Sequence, residues 1–139
     1  MIIKMVDPSV LSPYSGNSRT HSNEQIDQIV KSISEFGFTN PVLVDENNGI
    51  IAGHGRLAAA TKIGLDLVPT IQLSGLTETQ KKAYVIADNQ LALNAGWDLD
   101  VLKMELGDLT ELDFDIGLLG FDDDFLNDLL ADEVPDGLT

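Results

Sequence analysis

The chain contains no cysteine, which excludes a disulfide scaffold, a thiolate zinc site and catalysis by a cysteine nucleophile. Basic side chains are also scarce: 8 lysines and arginines stand against 23 acidic residues, which gives a formal net charge of -15. Because contacts of Lys and Arg with phosphates dominate non-specific DNA binding, we expect weak DNA binding or none from this chain alone.

Long apolar runs are absent as well, and none approaches the roughly 20 residues that a membrane span requires, so we expect no membrane partner. Residues 1–7 lack the basic stretch and the apolar segment of a secretory signal, which together with the missing cysteines predicts a cytoplasmic protein. What is present, 43% hydrophobic and 22% charged residues over 139 positions, is typical of a globular domain.

The acidic charge is concentrated in the second half of the chain. Residues 1–69 carry five basic and seven acidic side chains, a net charge of -2, whereas residues 70–139 carry three and sixteen, a net charge of -13. The two halves are therefore expected to have different roles, and only the first is suited to bind an anion.

Hydrophobic periodicity and turn residues predict a mixed set of strands and helices. A capping box begins at Ser22, with Gln25 reaching back, and Gly37 ends that helix, while a second box begins at Thr77. Pro69 predicts either an edge position or a strand start. The predicted strands are 2–6, 41–44, 49–52 and 68–73, and the predicted helices are 23–36, 57–63, 77–89, 99–109 and 122–130.

These elements predict an α/β (α+β) fold in which helices surround a small, mixed, twisted sheet. We expect a core at residues 1–75 and a helical C-terminal extension at 76–131 that packs on the core. Residues 132–139 contain Pro135 and Gly137 without apolar periodicity, which is typical of the start of a linker. The hypothesis that follows is that the chain is a fragment of a longer protein.

The strongest chemical candidate is the segment 53–56, Gly-His-Gly-Arg, between a predicted strand and a predicted helix. Glycines allow a backbone to approach a ligand closely, and the first N–H groups of a helix attract an anion. Arg56 adds a planar, permanently charged set of donors. The segment therefore suits a phosphate, although a tight turn with a surface arginine explains the same pattern equally well.

A second basic segment precedes the first helix and contains Arg19, Thr20 and His21. These residues are candidates for contacts with the same anion, and a solvated loop is the alternative for Arg19. His21 and His54 are the only histidines, and two histidines alone do not predict a metal site. We expect them to form hydrogen bonds or to contact phosphate.

Asp88 and Asn89 are expected at a helix end, where they could hold a divalent cation that bridges phosphates. The alternative is that they are ordinary capping residues, with Trp97 beyond them in the core. The acids at 122–124 favour the first turn of a helix, because they complement its dipole.

Several short motifs follow one another in a fixed order, and together they resemble the ParB-like N-terminal domain of the ParB/sulfiredoxin superfamily over about residues 1–75. The motifs are Asn17-x-Arg19, Ser32-Ile33-x-x-x-Gly37, Asn40-Pro41-Val42, Ile51-Ala52-Gly53-His54-Gly55-Arg56-x-x-Ala59-Ala60 and Val68-Pro69.

A narrower resemblance extends further along the chain, through residues 87–98 and 119–121, to a branch found at the N-terminus of phage and bacterial DNA-modification methyltransferases. This resemblance implies that a linker leads from residue 139 into a methylase domain. S-adenosylmethionine would bind only in that absent domain, and DNA would be reached through the full-length protein.

In chromosome-partitioning members of this family, the domain binds CTP with Mg²⁺ and hydrolyses it slowly. The resemblance implies that this chain is a candidate for the same binding. The phosphate motif of those members is Gly-Glu-Arg-Arg, in which Gly53 and Arg56 match here while His54 and Gly55 replace the Glu and the first Arg. A second motif, Glu-Asn-x-x-Arg, is matched approximately by Asp88 and Asn89, and Ala92 stands where the arginine would be. These departures argue against hydrolysis more strongly than against binding.

The resemblance also implies base-side contacts and excludes one family activity. The base-side contacts are expected near Ser32, Gly37, Asn40 and Pro41. Sulfiredoxin chemistry is excluded because its cysteine is missing. The helix-turn-helix that follows the domain in partitioning proteins is not predicted from the sequence.

Three functions remain open at this point. The first is a nucleotide- or phosphate-binding module of a DNA-modification methyltransferase. The second is an enzyme, either a nucleotide triphosphatase of the CTPase type or a nuclease. The third is a homodimerisation or protein-interaction module that binds no ligand and uses apolar residues such as Leu126, Leu129 and Leu130.

Overall fold

A four-stranded mixed sheet organises the first part of the chain in the computed structural model, which describes residues 1–13 and 21–131. The strand order is β1-β4-β2-β3, with β4 antiparallel to β1 and parallel to β2, and β2 antiparallel to β3. The strands are β1 (Ile3–Val6), β2 (Val42–Val44), β3 (Ile50–Ala52) and β4 (Val68–Gln72). The mixed sheet and the predicted hairpin at 41–52 are confirmed.

Five α-helices and two short 3-10 helices complete the described elements. The α-helices are α1 (Asn23–Phe36), α2 (His54–Lys62), α3 (Glu78–Asn94), α4 (Leu99–Glu111) and α5 (Asp123–Ala131), and the 3-10 helices are Pro8–Val10 and Ile116–Leu119. No helix within the described ranges is long and apolar enough to cross a membrane.

Contacts between these elements divide the chain into two units, Met1–Ala95 and Gly96–Thr139. The first unit contains the sheet with α1, α2 and α3, and the second contains α4 and α5. The division at residues 75 and 76 stays a prediction, as does the linker at 132–139, which lies outside the described residues.

The two units have separate hydrophobic cores. In the first unit, side chains of the sheet pack against Leu11 and against Ala60 of α2, with Val42 and Val68 fully buried. In the second unit, the core consists of Leu102 and Leu106 of α4 with Leu126 of α5, surrounded by half-buried aliphatic and aromatic side chains. Leu126, expected as a partner contact, is therefore a core residue of its own unit.

Trp97 was expected in the core, and this prediction is wrong. The side chain is 63% exposed and lies before the first residue of α4, where its ring contacts Phe121 at a centroid distance of 5.5 Å. The leucines of α4 and α5 already form the core of this unit, and Trp97 only covers its edge.

The sheet topology distinguishes between the two positions predicted for Pro69, an edge strand and a strand start. β4 is an interior strand, so the edge position is wrong, but Pro69 is the second residue of that strand and pairs with Met5 of β1. Proline lacks a backbone N–H and is tolerated near a strand start, where fewer ladder bonds are lost.

A polar cluster connects the β2–β3 turn to α3. Asp45 accepts hydrogen bonds from the backbone N–H groups of Asn47 and Gly49, both at 2.8 Å, and its second carboxylate oxygen lies 3.1 Å from Nζ of Lys81. Lys81, which is 8% exposed, also contacts Glu78 at 3.0 Å. We call these residues the turn cluster.

Candidate anion-binding site

A cavity of about 280 Å³ lies in the first unit where β3 passes into α2. Three parts of the chain line it: the segment 53–56, the start of α1 with His21 and Gln25, and the middle of α3 with Asp88 and Asn89. The structure therefore brings most of the predicted phosphate and metal residues together around one space.

Gly53 occupies a backbone conformation that requires glycine. Its φ is 108° and its ψ is 20°, in the left-handed region, and it is the N-cap of α2. A Cβ atom here would lie 3.2 Å from Nη2 of Arg56 and 3.3 Å from the backbone of Val42. The turn thus directs the chain into the helix while its backbone stays close to the sheet.

The helix begins at His54, one turn earlier than predicted. The first bond of the helical ladder runs from the N–H of Leu57 to the carbonyl of Gly53, at 2.9 Å. The backbone N–H groups of Gly55 and Arg56 precede this bond, at the positive end of the helix dipole. These groups give the cavity the properties of an anion site.

Gly55 is buried directly beneath the ring of His21. A Cβ atom at Gly55 would lie 2.9 Å from Cε1 of His21 and 3.1 Å from Cδ1 of Ile29. This close approach places the imidazole of His21 against the first turn of α2.

Arg56 is half-buried, and its hydrogen bonds are incomplete. Its Nη2 donates to the carbonyl of Pro41 at 3.0 Å, whereas its Nε is buried and has no hydrogen-bond partner among the described residues. Burial lowers the pKa of Arg56, and the negative charge of Asp88 acts in the opposite direction. A buried cationic donor without an acceptor is unfavourable until an acceptor reaches it.

The two histidines also meet at this cavity. Burial, and to a smaller extent the charge of His21, lower the pKa of His54 below its ordinary value. Nδ1 of His21 lies 3.1 Å from Oε1 of Gln25. The Ser22 side chain accepts from the N–H of Gln25 as predicted, but the Gln25 side chain contacts His21 and not the helix start.

Gln25 is a polar residue of the cavity that sequence reasoning did not assign to the site. Glutamine at this position also fits a capping box, so the sequence pattern predicted that its side chain would bond to the backbone at the helix start. The signal that would have found it is its position four residues after His21, which places both side chains on one face of the chain at the start of α1.

The other predicted site residues have different outcomes. Pro41 contacts Arg56, whereas Ser32, Gly37 and Asn40 are exposed and are not among the described residues that line the cavity. Arg19 and Thr20 lie outside the described residues. The base-side assignment stays a prediction.

Asp88 and Asn89 line the cavity, but they do not lie at a helix end, because α3 continues to Asn94. No glycine or proline interrupts residues 88–94, so the helix extends beyond the predicted end. The Asn89 side chain donates to the carbonyl of Val85 at 2.8 Å. Within residues 1–13 and 21–131, no group of three or more His, Asp or Glu side chains is arranged for a metal ion.

Two family models match the chain. The ParB N-terminal domain matches residues 2–89, and the ParB-methyltransferase HTH domain matches residues 100–138. The second match identifies a helix-turn-helix domain after the first domain, which was not evident from the sequence. Its helices were predicted individually, but their strongly acidic composition hid the motif, since DNA-binding helices usually carry basic residues.

One curated relative is the ParB-like nuclease domain-containing protein YnaK of Escherichia coli (strain K12). It is 61% identical over 72 residues, which are 52% of this chain and 83% of that protein.

Solved structures share the fold at low identity. The C-terminally truncated chromosome-partitioning protein ParB from Caulobacter crescentus, complexed with CTP-gamma-S, has a TM-score of 0.71 at 20% identity, covering 99% of this chain and 89% of that chain. Sulfiredoxin from Arabidopsis thaliana has a TM-score of 0.50 at 21% identity, covering 57% and 92%.

Proposed function

Because the chain belongs to the ParB N-terminal domain family, we propose that its cavity binds the phosphate groups of a nucleotide, in a protein that serves DNA modification by a methyltransferase. CTP is the first candidate, since the Caulobacter ParB of similar fold was solved with a CTP analogue. The branch is supported by the match to the ParB-methyltransferase HTH domain.

The observation that carries this proposal is the incomplete hydrogen bonding of Arg56. Its Nε is buried beside the first turn of α2, with no acceptor among the described residues. An anion in the cavity would supply the acceptor that this N–H lacks, and the helix N-terminus would attract the same charge. A guanidinium and a helix start that converge on one cavity suit a phosphate better than a neutral ligand.

Mg²⁺ fits the residues on the α3 side of the cavity. Asp88 offers a carboxylate and Asn89 an amide oxygen, and Mg²⁺ in nucleotide sites is commonly held by one or two such groups together with phosphate oxygens. When bound, the ion would neutralise phosphate charge. We propose nucleotide binding here and assign no hydrolysis, because His54 replaces the family's acidic residue.

The second unit is proposed to serve DNA recognition only within a larger assembly. The match to an HTH domain favours DNA, yet residues 96–131 contain eleven acidic side chains and one lysine. Their repulsion of phosphates opposes binding by this unit alone. We therefore assign DNA contact to the full-length protein.

Calorimetric titration of the protein with CTP, and in parallel with ATP, with and without Mg²⁺, tests the nucleotide proposal. We expect CTP to bind, and we expect Arg56→Met to weaken binding by about tenfold to a hundredfold, the effect of one or two charge-assisted hydrogen bonds. Lys62→Met is the matched control, because Lys62 lies at the other end of the same helix in an exposed ion pair with Asp27.

Binding that is absent at millimolar nucleotide, or that is unchanged in Arg56→Met, would contradict the proposal. The enzyme alternative is tested on the same samples by phosphate release and by nicking of plasmid DNA. The nicking assay is included because the E. coli relative YnaK is named as a protein with a ParB-like nuclease domain.

A further inference from the structure

We propose that the cavity holds a single phosphate group and that Asp88 disfavours any further one, so that without a divalent cation a nucleoside monophosphate binds about as well as the corresponding triphosphate. This inference rests on the proposed function of the same cavity. It adds the class of ligand that the protein part of the site accepts, and it assigns Asp88 as the residue that determines this specificity.

The cavity offers one permanent positive charge to a ligand. Among the described residues that line it, Arg56 is the only arginine or lysine, and its Nη2 already donates to the carbonyl of Pro41. The start of α2 adds the partial charge of a helix N-terminus, about half a unit charge. This supply is similar to the charge of one phosphate monoester, about -1.5 to -2 at neutral pH.

Two lysines of the helices that line the cavity are engaged elsewhere. Lys62, at the other end of α2, is paired with Asp27 on the surface, and Lys81 of α3 belongs to the turn cluster. Gly55 and Ala92 line the cavity on α2 and α3 and carry no charge. Within the described lining, a second or third phosphate therefore meets no further lysine or arginine.

Asp88 makes the outer part of the cavity unfavourable for additional negative charge. The residue lines the cavity and is exposed, whereas Gly55 at the α2 start is buried, so a ligand held at the α2 start extends toward the side of Asp88. Burial lowers the pKa of Arg56, and the negative charge of Asp88 partly offsets this effect, which places Asp88 within electrostatic reach of the guanidinium. The outer phosphates of a triphosphate would be repelled by the same charge.

The test is calorimetric titration with CMP, CDP and CTP in the presence of EDTA, which removes the proposed Mg²⁺. A pH of about 8 keeps ordinary imidazoles neutral and the phosphate of CMP fully charged. We expect the three affinities to agree within about fivefold, because the added phosphates gain no charged hydrogen-bond partner. A cavity that contacted all three phosphates would favour CTP by about a hundredfold or more, since one hydrogen bond to a charged group contributes about tenfold.

Two substitutions on α3 test the role of Asp88 in this selectivity. Asp88→Asn keeps the shape and removes the charge, so CTP affinity should rise about threefold to tenfold relative to CMP affinity in about 0.1 M salt. Ala92→Lys leaves Asp88 in place and adds a cation one turn further along the helix, which should shift the ratio in the same direction. A loss of packing alone would weaken both nucleotides without changing their ratio.

Asp66→Asn is the matched control, because Asp66 is exposed, is not among the described residues that line the cavity, and changes the net charge by the same amount. It should leave the ratio of CTP to CMP affinity unchanged. An equal rise in Asp66→Asn and Asp88→Asn would assign the selectivity to the net charge of the protein and would contradict a local role of Asp88.

The failure of this inference can be distinguished from the failure of the proposed function. If wild-type protein in EDTA binds CTP more than about fivefold more tightly than CMP, or if neither α3 substitution changes the ratio, the inference is wrong while the nucleotide site stands. If none of the three nucleotides binds, or if binding is unchanged in Arg56→Met, the proposed function is wrong and the inference is overturned with it.

Discussion

Two polar clusters of the first unit differ in how completely their hydrogen bonds are satisfied. In the turn cluster, both carboxylate oxygens of Asp45 have donors, and Lys81 contacts two carboxylates. At the α2 turn, Nε of Arg56 is buried without an acceptor among the described residues. The first arrangement is complete within the protein, whereas the second has room for an acceptor, which in our proposal a bound anion supplies.

The pKa directions report the same contrast. Burial on its own would raise the pKa of Asp45, but the N–H groups of Gly49 and Asn47 together with Lys81 outweigh it and hold the pKa below its ordinary value. At Arg56 and His54, burial is the largest effect and lowers both pKa values. Charge is stabilised in the turn cluster and disfavoured at the cavity, so we expect the turn cluster to contribute to folding stability and the cavity to contribute to the proposed binding.

Removing Asp45 should have the largest effect on stability. Asp45→Ala leaves the N–H groups of Asn47 and Gly49 without their acceptor and separates Lys81 from one of its two partners. We expect the free energy of unfolding to fall by about 2–3 kcal/mol, because the Gly49 N–H and the Lys81 ammonium are partly buried donors that lose their acceptor. Chemical denaturation measures this change.

Glu78→Ala is the control for this substitution, because Glu78 is the exposed partner of Lys81, with 86% of its side chain accessible. Its loss should change the unfolding free energy by less than about 1 kcal/mol. Equal losses of unfolding free energy in Asp45→Ala and Glu78→Ala would contradict the expectation that the partly buried contacts of Asp45 contribute more to stability than the exposed contact of Glu78.

Arg56→Met should have the opposite pattern of effects. The substitution removes the buried Nε donor, which has no acceptor among the described residues, and it also removes the hydrogen bond from Nη2 to the Pro41 carbonyl. Because these two losses act in opposite directions and methionine keeps an apolar stem of similar length, we expect the unfolding free energy to change by less than about 1 kcal/mol. Nucleotide binding should nevertheless be weakened as described above. Thermal unfolding and calorimetry on one preparation measure both quantities, and a large loss of stability with normal binding would reverse the comparison between the clusters.

A matched pair of glycines sharpens the comparison at the helix start. Gly107→Ala in α4 meets no atom within 4 Å and should raise the unfolding free energy of its unit by about 0.5–1 kcal/mol through helix propensity. Gly55→Ala places a methyl group 2.9 Å from the His21 ring, which must move. The cost of moving the ring should cancel the gain in unfolding free energy from helix propensity. Gly55→Ala should also weaken CTP binding, and wild-type affinity in this variant would exclude a close approach of ligand to the α2 turn.

The sequence was sufficient to predict the individual helices and strands. It was insufficient to predict which of them pair or pack together in the fold. Capping residues such as Thr77 act within a few positions, and the structure confirms its capping box at the start of α3. The pairing of β1 with β4 joins residues 3–6 to residues 68–72, and no local pattern encodes that order. The exposure of Trp97 depended in the same way on which leucines filled the second core.

The part of the candidate site that could be predicted from the sequence is the turn, because its residue types are characteristic of such a turn. The two glycines and Arg56 marked the turn, although glycine's low helix propensity placed the start of α2 one turn too late. Gln25 was missed because its pattern fitted a second, purely local role. Among the described residues, Nε of Arg56 has no acceptor because it is buried, and this burial follows from the packing of the turn against Val42 and Pro41.

The smallest expected effect is the dependence of stability on pH without ligand. The folded-state pKa of His54 lies below its unfolded value, so the unfolded chain binds more protons once the pH falls below about 6.5, and stability decreases there. The folded-state pKa of Asp45 is also lowered, so its contribution to stability is present above about pH 4 and is lost only in stronger acid.

His54→Gln should remove the decrease in stability near neutral pH and should leave the decrease in stronger acid unchanged. Unfolding curves between about pH 5 and pH 8 measure it, and an identical slope in both proteins would assign the near-neutral decrease to other groups.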